Sequence, residues 1–392
     1  MSSFSISKNQ IQPKLSICNQ ICSKKDPVEV YTHLKIEIKS GIMFFSTLNT
    51  SLFYQTSLTL TTSTSDCVFT IKTDMFTSAI DLIDAEELDF VFDEPKQTLV
   101  IKGKKAKHTL RTNSNLNNDF ISPNENKEQK QADLVMDCEI FKQAVNSTFT
   151  SVGNPKSTYQ PEFCNICFSL QTENQSLCVV STDRFRITRI VPQFISLDIN
   201  KHNSNYKEGS INLLLPPKSL KLVLLSIEGN KEVNVSFEND FAWIKSGSTT
   251  LTLSYGQGNF PDYNRIIPES FSCNFTINPK EFVSALRQVS LIGNLDTINK
   301  KVKIKVDPTK LEIQLTSDSS NGESSESQVV MNNYNGVEEI WEQSFNAGYL
   351  MDYLNATSHE EILWESNPGK PSILSPKDNK ATELYLVSGL KS

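Results

Sequence analysis

Apolar positions along the chain alternate between two rhythms, one at helical spacing and one strand-like, and the sequence of rhythms recurs three times. Ile11, Leu15, Ile17, Cys18, Ile21 and Cys22 predict a helix over 7–25, with Pro13 in its first turn. Runs rich in Thr, Phe and Ile predict strands at 32–38, 43–47 and 52–60. A helix over 73–83, capped by Thr73 or Asp74, is expected next, then strands at 88–92, 98–102 and 108–112. The polar stretch 113–132 has no periodicity, and its later half reads as a linker.

The cycle restarts with a helix over 137–152, where Phe141, Val145 and Phe149 lie four apart. Strands at 162–170, 177–181 and 185–191 and a polar loop at 200–208 precede a helix from Pro216 and Pro217 through Ile227. Strands at 232–237, 241–246 and 249–253 close the second cycle. The third cycle reads as a helix over 278–292, strands at 301–306 and 310–317, and an acidic Ser-rich loop at 318–328. Strands or edges at 329–333 and 342–346, a helix over 347–356 and strands at 362–365, 372–375 and 384–387 complete it. Between the second and third cycles, Gly258 to Pro268 places Pro261 and Pro268 around Tyr263 and Arg265, which predicts an extended connector.

A chain of 392 residues has room for two or three domains. The net charge of −7 and pI near 5.4 exclude a surface that is basic all over, but allow cations gathered on one face. No apolar run reaches the length of a membrane span and Met1 to Lys8 lacks a signal-peptide core, so a cytoplasmic protein with no membrane contact is expected. Cys164 and Cys167, read within one strand, point to opposite faces and cannot share a metal. The eight cysteines therefore read as reduced, buried thiols, with no metal site. His33, His108, His202 and His359 lie in unrelated contexts, and Gly256-Gln-Gly258 lacks the third glycine and helix of a phosphate loop. No catalytic residue and no enzyme is expected. A competing class, a secreted or surface β-rich adhesion or interaction protein, is suggested by Ser, Thr and Asn content and by sequons at Asn146 and Asn274.

Four stretches carry a resemblance: Ser181-Thr-Asp-Arg-Phe-Arg186, Phe260-Pro-Asp-Tyr-Asn-Arg-Ile-Ile-Pro268, Asn346-Ala-Gly-Tyr-Leu-Met-Asp-Tyr-Leu-Asn-Ala356 and Leu384-Tyr-Leu-Val387. In this order and spacing the chain resembles the bacterial DNA polymerase III beta subunits, the sliding clamps. The resemblance implies an α+β DNA-clamp fold of three similar domains, 1–127, 128–267 and 268–392, each with two helices packed on antiparallel sheets. It implies a ring-forming, head-to-tail homodimer around double-stranded DNA, without sequence preference and without a cofactor. Such a ring confers processivity because it cannot leave DNA sideways.

The resemblance further implies DNA-facing cations at Lys8, Lys14, Lys24, Lys25, Lys142, Lys156, Lys218, Lys221, Lys280 and Arg287. It implies a pocket for short apolar-anchored peptides of the DNA polymerase III alpha subunit, the clamp loader and other clamp-binding repair polymerases. Its walls would be Thr182, Arg184, Phe185, Arg186 and Ile187, then Pro261, Arg265 and Ile266, then Leu386, Ser388, Gly389 and Leu390. The family commonly has Thr-Asp-Gly-His-Arg in the first group and a Met-Pro-Met-Arg-Leu tail. Arg184, Phe185 and Ser388 to Ser392 depart from these, and the added bulk is expected to narrow the groove. For the dimer, the resemblance points to Leu291 and Ile292 against an edge near His108.

Overall fold

Each of the six helices among the described residues begins within one residue of a strand's end. The computed structural model describes residues 1–390 apart from 124–126, 157, 159, 204–207, 297–299 and 320–321, and gives the backbone alone at 127 and 292–296. Strand-to-helix transitions this abrupt need partners for the first helical N–H groups. Asp137 Oδ1 accepts from Glu139 N and Ile140 N at 2.8 and 3.2 Å. Asn278 Oδ1 accepts from Lys280 N and Glu281 N at 3.0 and 3.2 Å, and Asn346 Oδ1 from Gly348 N and Tyr349 N at 2.9 and 3.3 Å.

The chain order repeats three times. The first cycle runs Ser2–Ser7 (β1), Lys8–Ile21 (α1), His33–Lys39 (β2), Ile42–Leu48 (β3), Leu52–Thr59 (β4), Thr62–Ser63 (β5), Cys67–Lys72 (β6), Thr73–Leu82 (α2), Glu87–Asp93 (β7), Thr98–Lys102 (β8) and Lys107–Arg111 (β9). The second runs Lys130–Asp137 (β10), Cys138–Thr148 (α3), Ile166–Gln171 (β11), Ser176–Thr182 (β12), Arg186–Ile190 (β13), Ser196–Ile199 (β14), Ser210–Leu215 (β15), Pro217–Ser226 (α4), Glu232–Glu238 (β16), Phe241–Ser246 (β17) and Thr249–Ser254 (β18). The third runs Cys273–Ile277 (β19), Pro279–Asp296 (α5), Lys301–Asp307 (β20), Glu312–Asp318 (β21), Ser324–Val330 (β22), Asn332–Gly336 (β23), Trp341–Asn346 (β24), Ala347–Ala356 (α6), Ile362–Ser366 (β25), Ser372–Pro376 (β26) and Glu383–Val387 (β27).

Pairing follows one rule throughout. The strand leading into one helix of a cycle joins, antiparallel, the meander that follows the other helix: β1 with β7 and β6 with β2, β10 with β16 and β15 with β11, β19 with β25 and β24 with β20. Two junctions then fuse meanders of successive cycles, β4 with β18 and β13 with β27. The result is two nine-stranded sheets, β14-β10-β16-β17-β18-β4-β3-β2-β6 and β15-β11-β12-β13-β27-β26-β25-β19-β23. A five-stranded sheet β5-β1-β7-β8-β9 and a four-stranded sheet β22-β21-β20-β24 remain unfused.

The chain divides into two compact units. The first (1–141, 194–207, 218–255) holds the five-stranded sheet and the nine-stranded sheet containing β4 and β18. Its core includes alternate strand positions such as Leu34, Ile36 and Ile38, and Ile11, Leu15 and Cys18 of α1, all buried. Phe4 stacks on Phe90 at 4.9 Å and Phe69 on Phe92 at 4.6 Å. The second unit (142–193, 208–217, 256–392) holds the other two sheets. Trp364, fully buried, sits between Phe275, Phe282 and Phe345 at ring separations of 5.8, 5.6 and 5.7 Å.

Several expectations need correction. Helix α1 starts at Lys8, so Pro13 lies inside it rather than in its first turn. The N-cap position of α2 is Lys72, with no side-chain cap, while Asp74 accepts from Met75 N. The first part of the polar stretch after β9 is packed, with Leu116 and Phe120 buried against Val30. The later half, expected as a linker, is cut short by a 3-10 turn at Lys127–Gln129 and by β10 from Lys130, residues 124–126 lying outside the described residues. Residues 161–164 form a 3-10 turn before β11, so Cys164 and Cys167 do not share a strand. All eight thiols are free, and burial pushes that of Cys67 up to about 11. The expected acidic loop ends in β22, an edge strand, and the Gly258 to Pro268 connector contains a 3-10 turn, Tyr263–Ile266.

Replacing Trp364 by Ala removes the ring around which three phenylalanines pack. The expected cost is about 3–5 kcal/mol, read as a lowered denaturant midpoint of the second unit; an unchanged midpoint contradicts this packing.

Candidate peptide-binding groove

In the second unit, three segments meet on the fused sheet. Ile187 of β13 lies directly opposite Leu386 of β27, and both belong to a buried cluster that also takes in Phe260 and Tyr263 from the connector. These two aromatics, 8% and 5% exposed, anchor the connector and leave Pro261, Arg265 and Ile266 at the surface. Thr182, Ile187 and Leu386, expected as walls, are instead the buried floor, because the sheet is covered there: β27 is buried at every position and β13 at all but Arg189.

The β12–β13 turn is held from both sides. Thr182 Oγ1 donates to the Arg186 carbonyl at 2.7 Å and accepts from Arg184 N at 3.1 Å. Asp183 Oδ1 accepts from the backbone N–H groups of Phe185 and Arg186, each at 3.1 Å. These bonds hold Arg184 at φ +82°, a left-handed conformation that costs a residue with a side chain roughly 1–2 kcal/mol. The family's commoner glycine adopts it freely.

Arg186 is the buried keystone of this turn, 8% exposed. Its Nε donates to Asp183 at 2.8 Å, its Nη1 to Asp352 at 2.6 Å, and its guanidinium lies 4.2 Å from the centre of the Tyr349 ring. Burial alone lowers its pKa, but Tyr385, Asp352 and Asp183 together outweigh that and raise it, so the cation persists where it is desolvated. Phe185, 55% exposed, stacks on the same Tyr349 at 6.4 Å. Tyr349 and Asp352 sit on α6, inside the third recognised stretch, but their pairing across the fold with Arg186 is invisible in sequence.

The tail closes the remaining side. Ser388 N donates to the Phe185 carbonyl at 2.9 Å and Leu390 N to the Ser344 carbonyl at 2.7 Å. A Cβ at Gly389 would come within 2.1 Å of Gln343 Nε2, so any larger residue there would have to displace the Gln343 side chain. Ser388, Gly389 and Leu390 are half-buried, while Arg184, Phe185, Pro261, Arg265 and Ile266 are exposed. The arrangement is an apolar strip with the exposed Arg184 and Arg265 at its margins, suited to an extended peptide.

The candidate cations are less uniform. Lys8 donates to the Asp81 and Ile83 carbonyls at the end of α2, and Lys14 to Thr249 at 3.4 Å, so both are engaged within the protein. Lys24 and Lys25 follow α1 rather than belonging to it. With His33 and Lys72, a cation the sequence reading passed over, they line a cleft of about 600 Å³. Lys156 lies in a turn, and Lys142 and Lys221 interact within the protein. Lys218 is exposed in the first turn of α4. Lys280 and Arg287 line a cleft of about 730 Å³ with Asn355 and His359, and Arg287 donates to Asn355 at 3.2 Å.

Of the interface candidates, His108 is half-buried on β9 and Leu291 is 73% exposed on α5; the side chain of Ile292 lies outside the described residues. No cluster of three or more His, Cys, Asp or Glu side chains poised for a metal occurs among the described residues.

Comparison with known proteins places the fold. Residues 2–120 match the model of the DNA polymerase III beta subunit N-terminal domain, and 264–388 that of its C-terminal domain. The beta sliding clamp of Rickettsia felis is 24% identical over 396 residues, covering 96% of each chain, and that of Helicobacter pylori strain J99 is 21% identical over 388 residues, covering 97% of this chain and 96% of the relative. The crystal structure of the Streptococcus pyogenes beta subunit superposes over 100% of both chains with a TM-score of 0.86 at 19% identity. A Helicobacter pylori beta clamp bound to a DNA ligase peptide gives 0.86 at 18%, again over 100% of both chains.

The fold is therefore that of a DNA clamp, α+β with antiparallel sheets. The chain belongs to the DNA polymerase III beta-subunit family, the bacterial sliding clamps. It is a non-catalytic processivity subunit, and the adhesion reading is set aside.

Substituting Arg184 by Gly relieves the left-handed strain, offset in part by glycine's greater freedom when unfolded. A net gain of about 0.5–1 kcal/mol in unfolding free energy is expected; a loss of stability contradicts the strain.

Proposed function

We propose that two copies of this chain close head to tail into a ring around duplex DNA, with β9 of one copy pairing β22 of the other. The carrying observation is the pairing rule. The third strand after the first helix of a cycle (β4, β13) meets the third strand after the second helix (β18, β27), which leaves β22 and β9 as the one pair of equivalents without each other. They are also complementary in charge. The β8–β9 hairpin exposes Lys102, Lys104, Lys105, Lys107 and Arg111, while Glu323 and Glu326 are exposed on and beside β22. Alternation puts His108 and Leu110 on the face opposite Lys107 and Arg111, where the exposed Leu291 supplies apolar cover.

Three modules, 1–127, 128–267 and 268–392, account for this rule. Lys24, Lys25, Lys72, Lys218, Lys280 and Arg287 are the cations we assign to phosphate, since they are exposed or line polar clefts. The groove of Phe185, Ile266 and Leu390 receives peptides of the polymerase, the clamp loader and repair polymerases. The site of action is the cytoplasm. No helix among the described residues is long and apolar enough to cross a membrane.

Light scattering is expected to give twice the chain mass. Lys107→Glu with Arg111→Glu should yield monomers, as should Glu323→Lys with Glu326→Lys, because like charges across an edge cost several kcal/mol. Mixing the two variants should restore dimers, both edges again being complementary; two monomers that stay apart, or variants that remain dimeric alone, overturn the assignment. Once loaded on nicked circular DNA the protein should stay trapped, and linearising the circle should release it. Equal retention on both forms contradicts topological binding.

A further inference from the structure

Three arginines border the groove, and two of them are already committed. Arg186 divides its donors between Asp183 and Asp352 and lays its face on Tyr349. Arg265 pairs with its neighbour Asp262 at 2.9 Å. Arg184 is exposed, and its side chain takes part in no ion pair among the described residues. It is nevertheless fixed in place, because the Thr182 and Asp183 bonds define its backbone at φ +82°. A strained residue kept at a binding rim, with donors lacking an acceptor, points to an acceptor brought by the partner. Immediately beside it, Phe185 is 55% exposed and stacked on Tyr349, so a ring platform adjoins the unpaired guanidinium.

Resting on the groove reading above, we propose that this chain selects peptides carrying an aspartate or glutamate next to an aromatic anchor. Arg184 binds the carboxylate, and Phe185 with Ile266 receives the ring. A single-stranded nucleic acid also offers anions and rings. The surroundings favour the peptide, since Arg186 and Arg265 are already paired with Asp183, Asp352 and Asp262, so the rim offers Arg184 alone, enough for one carboxylate and too little for a continuous run of phosphates. The exposed neighbours Pro261 and Ile266 are likewise matched to apolar side chains.

The test uses two fluorescent peptides with the same leucine and phenylalanine anchors, one carrying Asp-Asp and the other Asn-Asn beside the phenylalanine, titrated with the full chain and read by anisotropy. The wild type should prefer the Asp peptide about fivefold at low salt, a preference that shrinks as salt rises. Arg184→Gly should bring the ratio to about one, while Arg184→Lys keeps most of it. Ile266→Asp tests the groove itself and should weaken both peptides. If it weakens neither, the groove reading fails. If it weakens both while the wild-type ratio is one, or while Arg184→Gly retains the preference, the acidic selectivity alone is overturned. Displacement of the Asp peptide by oligothymidylate as readily as by unlabelled Asp peptide also overturns it.

Discussion

Backbone hydrogen bonding at strand edges governs the structure. A strand at the rim of a sheet presents a row of N–H and C=O groups that either find a partner or invite uncontrolled association. Twice the chain solves this internally, by fusing β4 to β18 and β13 to β27. The leftover equivalents carry opposite charge, which disfavours β9 against β9 or β22 against β22 and favours a heterologous, head-to-tail contact. When such contacts close on themselves, no equivalent edge remains, and the closed hoop holds DNA without needing tight bonds to it. An acidic protein can then serve a polyanion, since retention comes from closure and only a few cations need meet phosphate.

The groove shows the same economy. Its floor is ordinary sheet core, and its margin is set by one turn in which Asp183, Thr182 and Arg186 satisfy one another. Because Arg186 also reaches Asp352 and Tyr349 on α6, the turn, that helix and the tail bonded to Phe185 form one connected network. Such networks fix geometry more than they add stability, which suits the groove proposed to receive peptides.

Much of this was legible in the sequence, for physical reasons that differ by element. Helix Ala347–Ala356 and strand Thr98–Lys102 fall where spacing places them, since each has an uninterrupted period. Of the strands leading into helices, β24 falls where 342–346 was expected, but β1 and β6 were missed because they run directly into α1 and α2, so alternation passes into helical spacing without a break. Strand β22 was hidden by its composition: an exposed edge of Ser, Glu and Gln looks like a loop until its partner β21 is known. At the candidate site, the recognisable stretches 181–186, 260–268 and 384–387 meet on one sheet. Which residues are floor and which are rim, and that Arg186 is spent while Arg184 is free, depend on contacts across more than a hundred residues.

Amide hydrogen exchange on the assembled protein, followed strand by strand, tests the central claim most directly. If β9 and β22 pair between copies, their amides exchange as slowly as those of the fused strands β4 and β18, and speed up together when dilution or charge reversal separates the copies. Rapid exchange at β9 and β22 in a protein that is demonstrably dimeric would place the interface elsewhere and contradict the account.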